Sequence, residues 1–283
     1  GPRHYRVAGC DILLAKAAFL RDDPKSALAY ADSALVMLQD RVRALNATNV
    51  PQTFNDPQLL SNAIYWKVRA QRTLAGPGAV RKEWNAELDL AIRSLARNKS
   101  AMGDDASKLL LIAAQKDLFD LALDVAYEAY ANSHSDTDVE RFINISEADR
   151  SILLKNRLNG FAGLRFAGVP DSVIAREQEL DAALDVGPED RAAITDMDKR
   201  EKAYADFLKG LERRYPGYFN LRYGEQHITL VDIRKHLLTA DRQLLGYAGS
   251  GNYLYSWVVG MDGASIIRTR IAGIDDAARA LNA

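Results

Sequence analysis

A chain of 283 residues and 31.3 kDa, 48% hydrophobic and 27% charged, is long enough for one large or two ordinary domains, and its balance is that of a globular protein. A formal net charge of −1 supplies no global field to draw nucleic acid or an anionic membrane. No run approaches the ~18 apolar residues of a membrane span and the N-terminus lacks an apolar signal core, so a cytoplasmic chain with no membrane and no nucleic-acid partner is expected.

Gly1-Pro2 reads as the remnant of a cleaved tag and is set aside. Residues 11–38 (DILLAKAAFLRDDPKSALAYADSALVML) hold two helical patterns divided by Arg21-Asp22-Asp23-Pro24, where Asp22 or Asp23 caps the second helix and Pro24 fits its first turn. Ala15 and Ala18, and then Ala27, Ala31 and Ala34, recur on one face of each helix and allow close approach. The single cysteine, Cys10, lies in this apolar run and is expected to be a small buried hydrophobe. A second pair follows over 62–74 and 84–95, broken by Gly76-Pro77-Gly78, with Leu88 and Ala91 in packing positions. A third is expected over 107–116 and 119–130, where Ala122, Ala126 and Ala129 repeat the earlier spacing. Three helix pairs make a short solenoid.

Beyond a polar loop at 132–138, Asp136 or Thr137 can start a helix, and Ser146-Glu147-Ala148-Asp149 has a capping-box pattern opening a helix over 146–159. Residues 160–168 read as a flexible connection. Val169-Pro170-Asp171 opens a helix to about 185, Gly187-Pro188 turns the chain, and 189–215 forms a longer partner, giving a charged helical bracket. Pro216-Gly217-Tyr218 stops it. Residues 228–240 are helical, capped by Thr229 or His227, and the glycines from Gly246 to Gly251 read as a loop because a phosphate cradle belongs between strand and helix.

Residues 253–271 carry the β signal. Ser256 to Met261 is almost wholly apolar, Asp262-Gly263 suits a two-residue type I′ turn, and 264–271 alternates apolar and polar residues. Two strands alone are marginal, so the chain reads as cut inside a domain, with Asp275-Asp276 capping a helix from Ala277.

Chemistry has little to stand on. His4, His134, His227 and His236 have no metal-ligand spacing, Cys10 has no base nearby in sequence, and no G-x-S-x-G turn occurs. No catalytic residue, metal or cofactor is expected. Arg213-Arg214 suits a helix C-terminus, and Arg268 and Arg270 suit a solvated strand face.

The small positions Ala15, Ala27 and Ala34, together with Ala122, Ala126 and Ala129, resemble the tetratricopeptide repeat (TPR) family over residues 11–132, although the usual glycine of the first helix and the closing proline are missing. That resemblance implies a peptide-binding groove on the first helices, at Lys16 and Phe19 in the first pair and Lys67 and Gln71 in the second, with the lysines taking an acidic segment. From Ser146 onward the chain resembles the junction of such repeats with a CHAT domain, a caspase-like relative of separases. The matching pieces are Ser146-Glu147 through Leu153-Leu154-Lys155, Val169-Pro170-Asp171, Tyr215-Pro216-Gly217-Tyr218, residues 237–247, and the hairpin around Trp257 to Met261. The family's catalytic histidine and cysteine stand on later strands, and no position here corresponds to either.

The expected fold is therefore mainly α: a degenerate TPR-like α-solenoid (3–135), connecting helices (136–214), and the first β-hairpin of a truncated α/β caspase-like domain (215–283). The resemblance implies a recognition scaffold and N-terminal portion of a cysteine endopeptidase, with a bound peptide and the rest of the CHAT domain as partners. The alternative is a protein that mediates protein-protein interaction without activity, either a pseudo-peptidase with the same first half or a non-enzymatic TPR adaptor in which the hairpin closes a small α+β cap or pairs with another chain.

Overall fold

The computed structural model of the chain describes residues 5–47, 57–98, 105–160, 168–183, 197–222 and 227–271. Helices α1 (Tyr5–Leu20) and α2 (Pro24–Ala47) form the first hairpin. Asp23 starts α2 by accepting the Ser26 N–H at 3.0 Å, and Pro24 occupies a first-turn position whose N–H would lack a helical partner anyway. The second hairpin joins α3 (Pro57–Ala75) to α4 (Lys82–Asn98). Gly76 and Gly78, at φ of 84° and 77°, make its link in the left-handed region that glycine enters without a steric penalty.

The third hairpin differs from expectation. Residues 105–133 are one helix, α5 (Asp105–Ser133), and its partner is α6 (Asp136–Gly160). The break expected after Lys116 is absent because neither glycine nor proline occurs there, and the Lys116 ammonium reaches Asp120 at 2.8 Å across it. Ser146 is correspondingly not a cap: it is buried in mid-helix, and the hydroxyl of Ser135 accepts the Asp138 N–H instead, at 3.2 Å. Ala122, Ala126 and Ala129 thus sit on the first helix of the third pair.

α1 packs on α2 and α3, α2 on α3, α3 on α4 and α5, and α5 on α6. The first helices α1, α3 and α5 therefore lie side by side. Their shared core is built on small and large residues in alternation, from Ala8, Ala15, Ala31 and Ala34 to Trp84, Phe119 and Phe142. A separate cluster joins α7 (Asp171–Ala182), α8 (Met197–Arg214) and α9 (Pro216–Arg222) around Leu180, Tyr204, Leu208 and Tyr218. Glu177 is buried in this cluster and accepts the Tyr218 hydroxyl at 2.5 Å. Arg213 and Arg214 fall in the last turn of α8, as their charge favours.

Helix α10 (Leu230–Leu237) is capped by Thr229, whose hydroxyl accepts the Asp232 N–H. Asn144 on α6 holds the approach to it with a pair of bonds to the Ile228 backbone, at 2.7 and 2.8 Å. The chain then enters a three-stranded antiparallel sheet, β1 (Leu244–Ser250), β2 (Tyr253–Val259) and β3 (Ala264–Arg270), in the order β1-β2-β3. The glycines at 246 and 249 belong to a strand, and not to the loop their composition suggests. The reason lies across the ladder: Gly246 pairs with Trp257, whose indole fills the space of the missing side chain. The β2–β3 turn also departs from type I′. It has four residues, from Gly260 to Gly263, closed by the Gly260 N–H on the Gly263 carbonyl at 2.8 Å, and neither Asp262 nor Gly263 has a positive φ.

The inner face of the sheet packs on α5, α6 and α10, and Tyr255, Trp257, Val259 and Ile266 join the core of the helical hairpins. The protein is thus mainly helical with a small antiparallel sheet near its C-terminal end. Among the described residues no helix is long and apolar enough to cross a membrane. The helix expected from Ala277 lies outside the described residues.

Candidate functional site

The row formed by α1, α3 and α5 is joined by side chains that reach from helix to helix. Phe19 on α1 meets Trp66 on α3 with ring centroids 5.6 Å apart, and Tyr65 and Trp66 meet edge-on at 4.9 Å. The Arg69 guanidinium lies over Phe19 at 4.7 Å, over Trp66 at 5.5 Å and over Tyr65 at 5.6 Å, and donates to the Tyr65 hydroxyl at 2.5 Å. One turn on, Arg72 bonds Glu128 of α5 at 2.5 Å. Burial lifts the Tyr65 hydroxyl above its ordinary value; Arg69 opposes that shift, and Asp117 and Asp120 add to it. The row consequently runs from Lys16 and Arg69 on α1 and α3 to Asp117, Asp120 and Glu128 on α5.

The four residues that the sequence marks for a groove divide two and two. Lys16 is exposed on α1, and Phe19, three residues on, is half-buried beneath Arg69. Lys67 and Gln71 point instead toward the second helices. The Lys67 ammonium sits between Asp32 of α2, at 3.3 Å, and Glu87 of α4, at 2.8 Å. Burial alone would lower its pKa, but Glu87 and Asp32 outweigh that and hold it above the ordinary lysine value. Gln71 accepts the Trp84 indole N–H at 2.7 Å. Both side chains fasten hairpins together, so the cationic groups left to the row are exposed Lys16 and half-buried Arg69.

The far end of the row carries the sheet. Asp124 on α5 accepts the Tyr255 hydroxyl at 2.5 Å and the Ser250 hydroxyl at 3.3 Å, and the Ser250 hydroxyl also lies 3.2 Å from the Asp120 carbonyl. Burial, reinforced by Asp124, raises the Tyr255 hydroxyl far above the usual tyrosine value. Arg268 is not on a solvated strand face: it is paired with Tyr255 and its guanidinium lies between the Tyr127 and Tyr253 rings, at 4.4 and 4.8 Å. The alternation rule fails here because the inner face of β3 meets aromatic rings that accept a cation. Burial also pushes the carboxyls of Asp120 and Glu128 above their ordinary range, against the pull of Lys116 and Arg72 respectively.

Elsewhere the titratable groups tie the scaffold. Arg141 on α6 bonds Asp89 at 2.7 Å and the Asn85 carbonyl, joining α4 to α6. His227 stands 3.2 Å from Glu140, whose other oxygen accepts the Leu230 N–H, and Arg234 reaches both Asp136 and the Gly260 carbonyl. His134 lies in the α5–α6 link at φ 51°, edge-on to Tyr130. Among the described residues no group of His, Cys, Asp and Glu side chains is placed to hold a metal ion. Cys10 is exposed, contrary to the expectation of a buried hydrophobe, because it projects from the side of α1 away from α2 and α3.

The sequence reads Arg69 and Arg72 only as structural or solubilising cations and does not place Arg69 at the centre of the row. The available signal was its place four residues after Tyr65 and three after Trp66, a spacing that stacks a cation beside aromatic rings on one helix face. No protein-family model, curated protein or solved structure matches the chain.

Proposed function

We propose that the chain is a protein-recognition scaffold whose α1–α3–α5 row binds a peptide segment, with acidic residues over Lys16 and Arg69 and a basic residue toward Asp117. The observation that carries this reading is the Phe19–Trp66–Arg69 cluster. It sets half-buried Phe19 and Arg69 over the buried Trp66 ring across two helices that face the same way, with exposed Lys16 three residues from Phe19. The stacking of three helical hairpins supports a TPR-like solenoid as the frame, and the antiparallel sheet that follows supports the CHAT-like continuation implied by the sequence.

Under that continuation the row recognises a substrate or regulator for a caspase-like cysteine endopeptidase whose catalytic pair has no counterpart among these residues. The adaptor reading is favoured by a specific observation, the sheet sharing one core with the helical hairpins through Tyr255, Trp257 and Ile266. Selection of peptides from a random display library on the immobilised chain tests recognition itself. Translating the natural reading frame past Ala283 separates the two forms, a histidine and a cysteine on later strands favouring the peptidase and an early stop favouring the adaptor.

A further inference from the structure

Strand β1 turns a row of backbone groups away from the sheet. On β2 the Asn252 carbonyl accepts the Ile271 N–H at 2.8 Å and the Gly260 N–H meets the Gly263 carbonyl, so its even-numbered residues bond toward β3. Its odd-numbered residues therefore bond β1, where their partners are Leu244, Gly246, Ala248 and Ser250. Leu245, Tyr247 and Gly249 direct their N–H and C=O groups outward, and among the described residues nothing bonds them. Their side chains stand on the outer face: Leu245 and Tyr247 are 50% and 48% exposed, and a Cβ on Gly249 would meet nothing within 4 Å. The strand has neither a charge nor a proline, the devices that keep an edge from pairing. β3 has such a device, because Arg268 and Arg270 are among the residues that bond outward there.

We infer that the β1 edge is a docking site for an extended peptide, which joins the sheet as an antiparallel fourth strand. In that direction Leu245, Tyr247 and Gly249 each face one peptide residue and exchange both backbone bonds with it. Neighbouring groups define the side chains that fit. Gly249 leaves room on the outer face for a large apolar residue opposite it, beside the Tyr247 ring. The peptide residue opposite Ser250 points to the inner face, where α5 lies. Asp117 is exposed three residues before Asp120 and seven before Asp124, which both meet Ser250, so it shares their side of α5 and favours a basic residue there. A second copy of the chain does not fit this edge. α5 crosses beneath the sheet from Ser250 on β1, 3.2 Å from the Asp120 carbonyl, to Arg268 on β3, 4.4 Å from the Tyr127 ring. Its turns before Asp120 thus continue past β1, in the layer that a second copy's helices would need, and they floor a single added strand. The inference does not rest on peptide binding to the α1–α3–α5 row.

The probe is a capped hexapeptide, Lys-Phe-Val-Thr-Val-Thr, whose residues face Ser250 to Leu245 in that order. It is titrated into the isotope-labelled full chain, and amide exchange is read by NMR. The Leu245, Tyr247 and Gly249 amides are expected to exchange about tenfold more slowly, or slower still, with the peptide bound. N-methylation of its second, fourth and sixth residues, which bond β1, should abolish binding, and N-methylation of the third and fifth should not. Tyr247→Pro removes an N–H that the sheet does not use and should weaken binding by about tenfold or more with the circular dichroism spectrum unchanged. Where that variant does not fold, the two N-methylated peptides decide. Lys16→Glu, in the row, should bind the hexapeptide as the native chain does. The inference is overturned if the three amides gain no protection, if both N-methylation patterns act alike, or if Lys16→Glu abolishes binding. Protection of the same amides by rising chain concentration alone also overturns it, by assigning the edge to self-association.

Discussion

Trp257 lies across Gly246 so closely that a Cβ on Gly246 would come within 2.1 Å of the indole ring. The pair fixes the register of β1 on β2, and through Trp257 it fixes the sheet to the core, where Trp257 is buried with Tyr255 and Ile266. Gly246→Ala should therefore cost about 2–4 kcal/mol in urea unfolding, because the indole must leave its place. Gly249 has open space above it, and Gly249→Ala should change stability by less than about 1 kcal/mol. Equal effects of the two substitutions would refute the register.

Tyr255 and Asp124 tie the sheet to α5. Tyr255→Phe removes the shorter of the two hydroxyl bonds that the Asp124 carboxylate accepts and should cost about 1–3 kcal/mol. The Tyr255 pKa is raised in the folded state, so its proton is held more tightly there than in the unfolded chain. Its stabilising contribution is present below the unfolded tyrosine value near 10 and declines as pH rises above it. The difference in stability between the native chain and Tyr255→Phe should accordingly shrink above about pH 10, measured by urea titration at each pH.

The half-buried carboxyls of Asp89, Asp120 and Glu128 are all raised, burial being the largest cause. Groups raised in this way bind protons more tightly when folded, so stability falls as pH rises from about 4 through their folded values. Asp23 and Asp241 are shifted the other way, by hydrogen bonds from Ser26 and Thr239, and lose their contribution only as pH falls below about 4. Thermal stability should then increase as pH falls through their folded values toward about 4, and the double variant Asp89→Asn, Asp120→Asn should flatten that rise. Calorimetric scans through this range would disprove the assignment if both proteins showed the same slope.

Lys67 separates support from recognition. Lys67→Ala leaves Glu87 and Asp32 without their shared cation and should destabilise the chain by about 1–3 kcal/mol. Peptide affinity, measured well below the melting temperature, should not change.

The helical hairpins were legible because glycine, proline and aspartate punctuate them: Asp23-Pro24 and Gly76-Pro77-Gly78 mark links that the structure contains. The division of α5 was misread because small residues at 122, 126 and 129 fit either helix of a pair, and only the missing breaker near 117 distinguishes them. Gly246 was illegible as a strand residue because its justification is an indole eleven positions away that pairs with it only in the sheet. The groove residues show the same limit. Helical spacing places Lys16, Lys67 and Gln71 on their helices, but which neighbour each side chain faces depends on packing, and Asp32, Glu87 and Trp84 claim two of the three.

The most direct measurement of the recognition claim is titration calorimetry with a peptide taken from the display selection. The account predicts an acid-rich consensus, and Lys16→Glu should weaken its binding at least tenfold, about 1.4 kcal/mol, while Lys67→Ala binds as the native chain does. Native-like affinity in Lys16→Glu, or a selection that yields no acidic consensus, would contradict the assignment of the α1–α3–α5 row as the recognition surface.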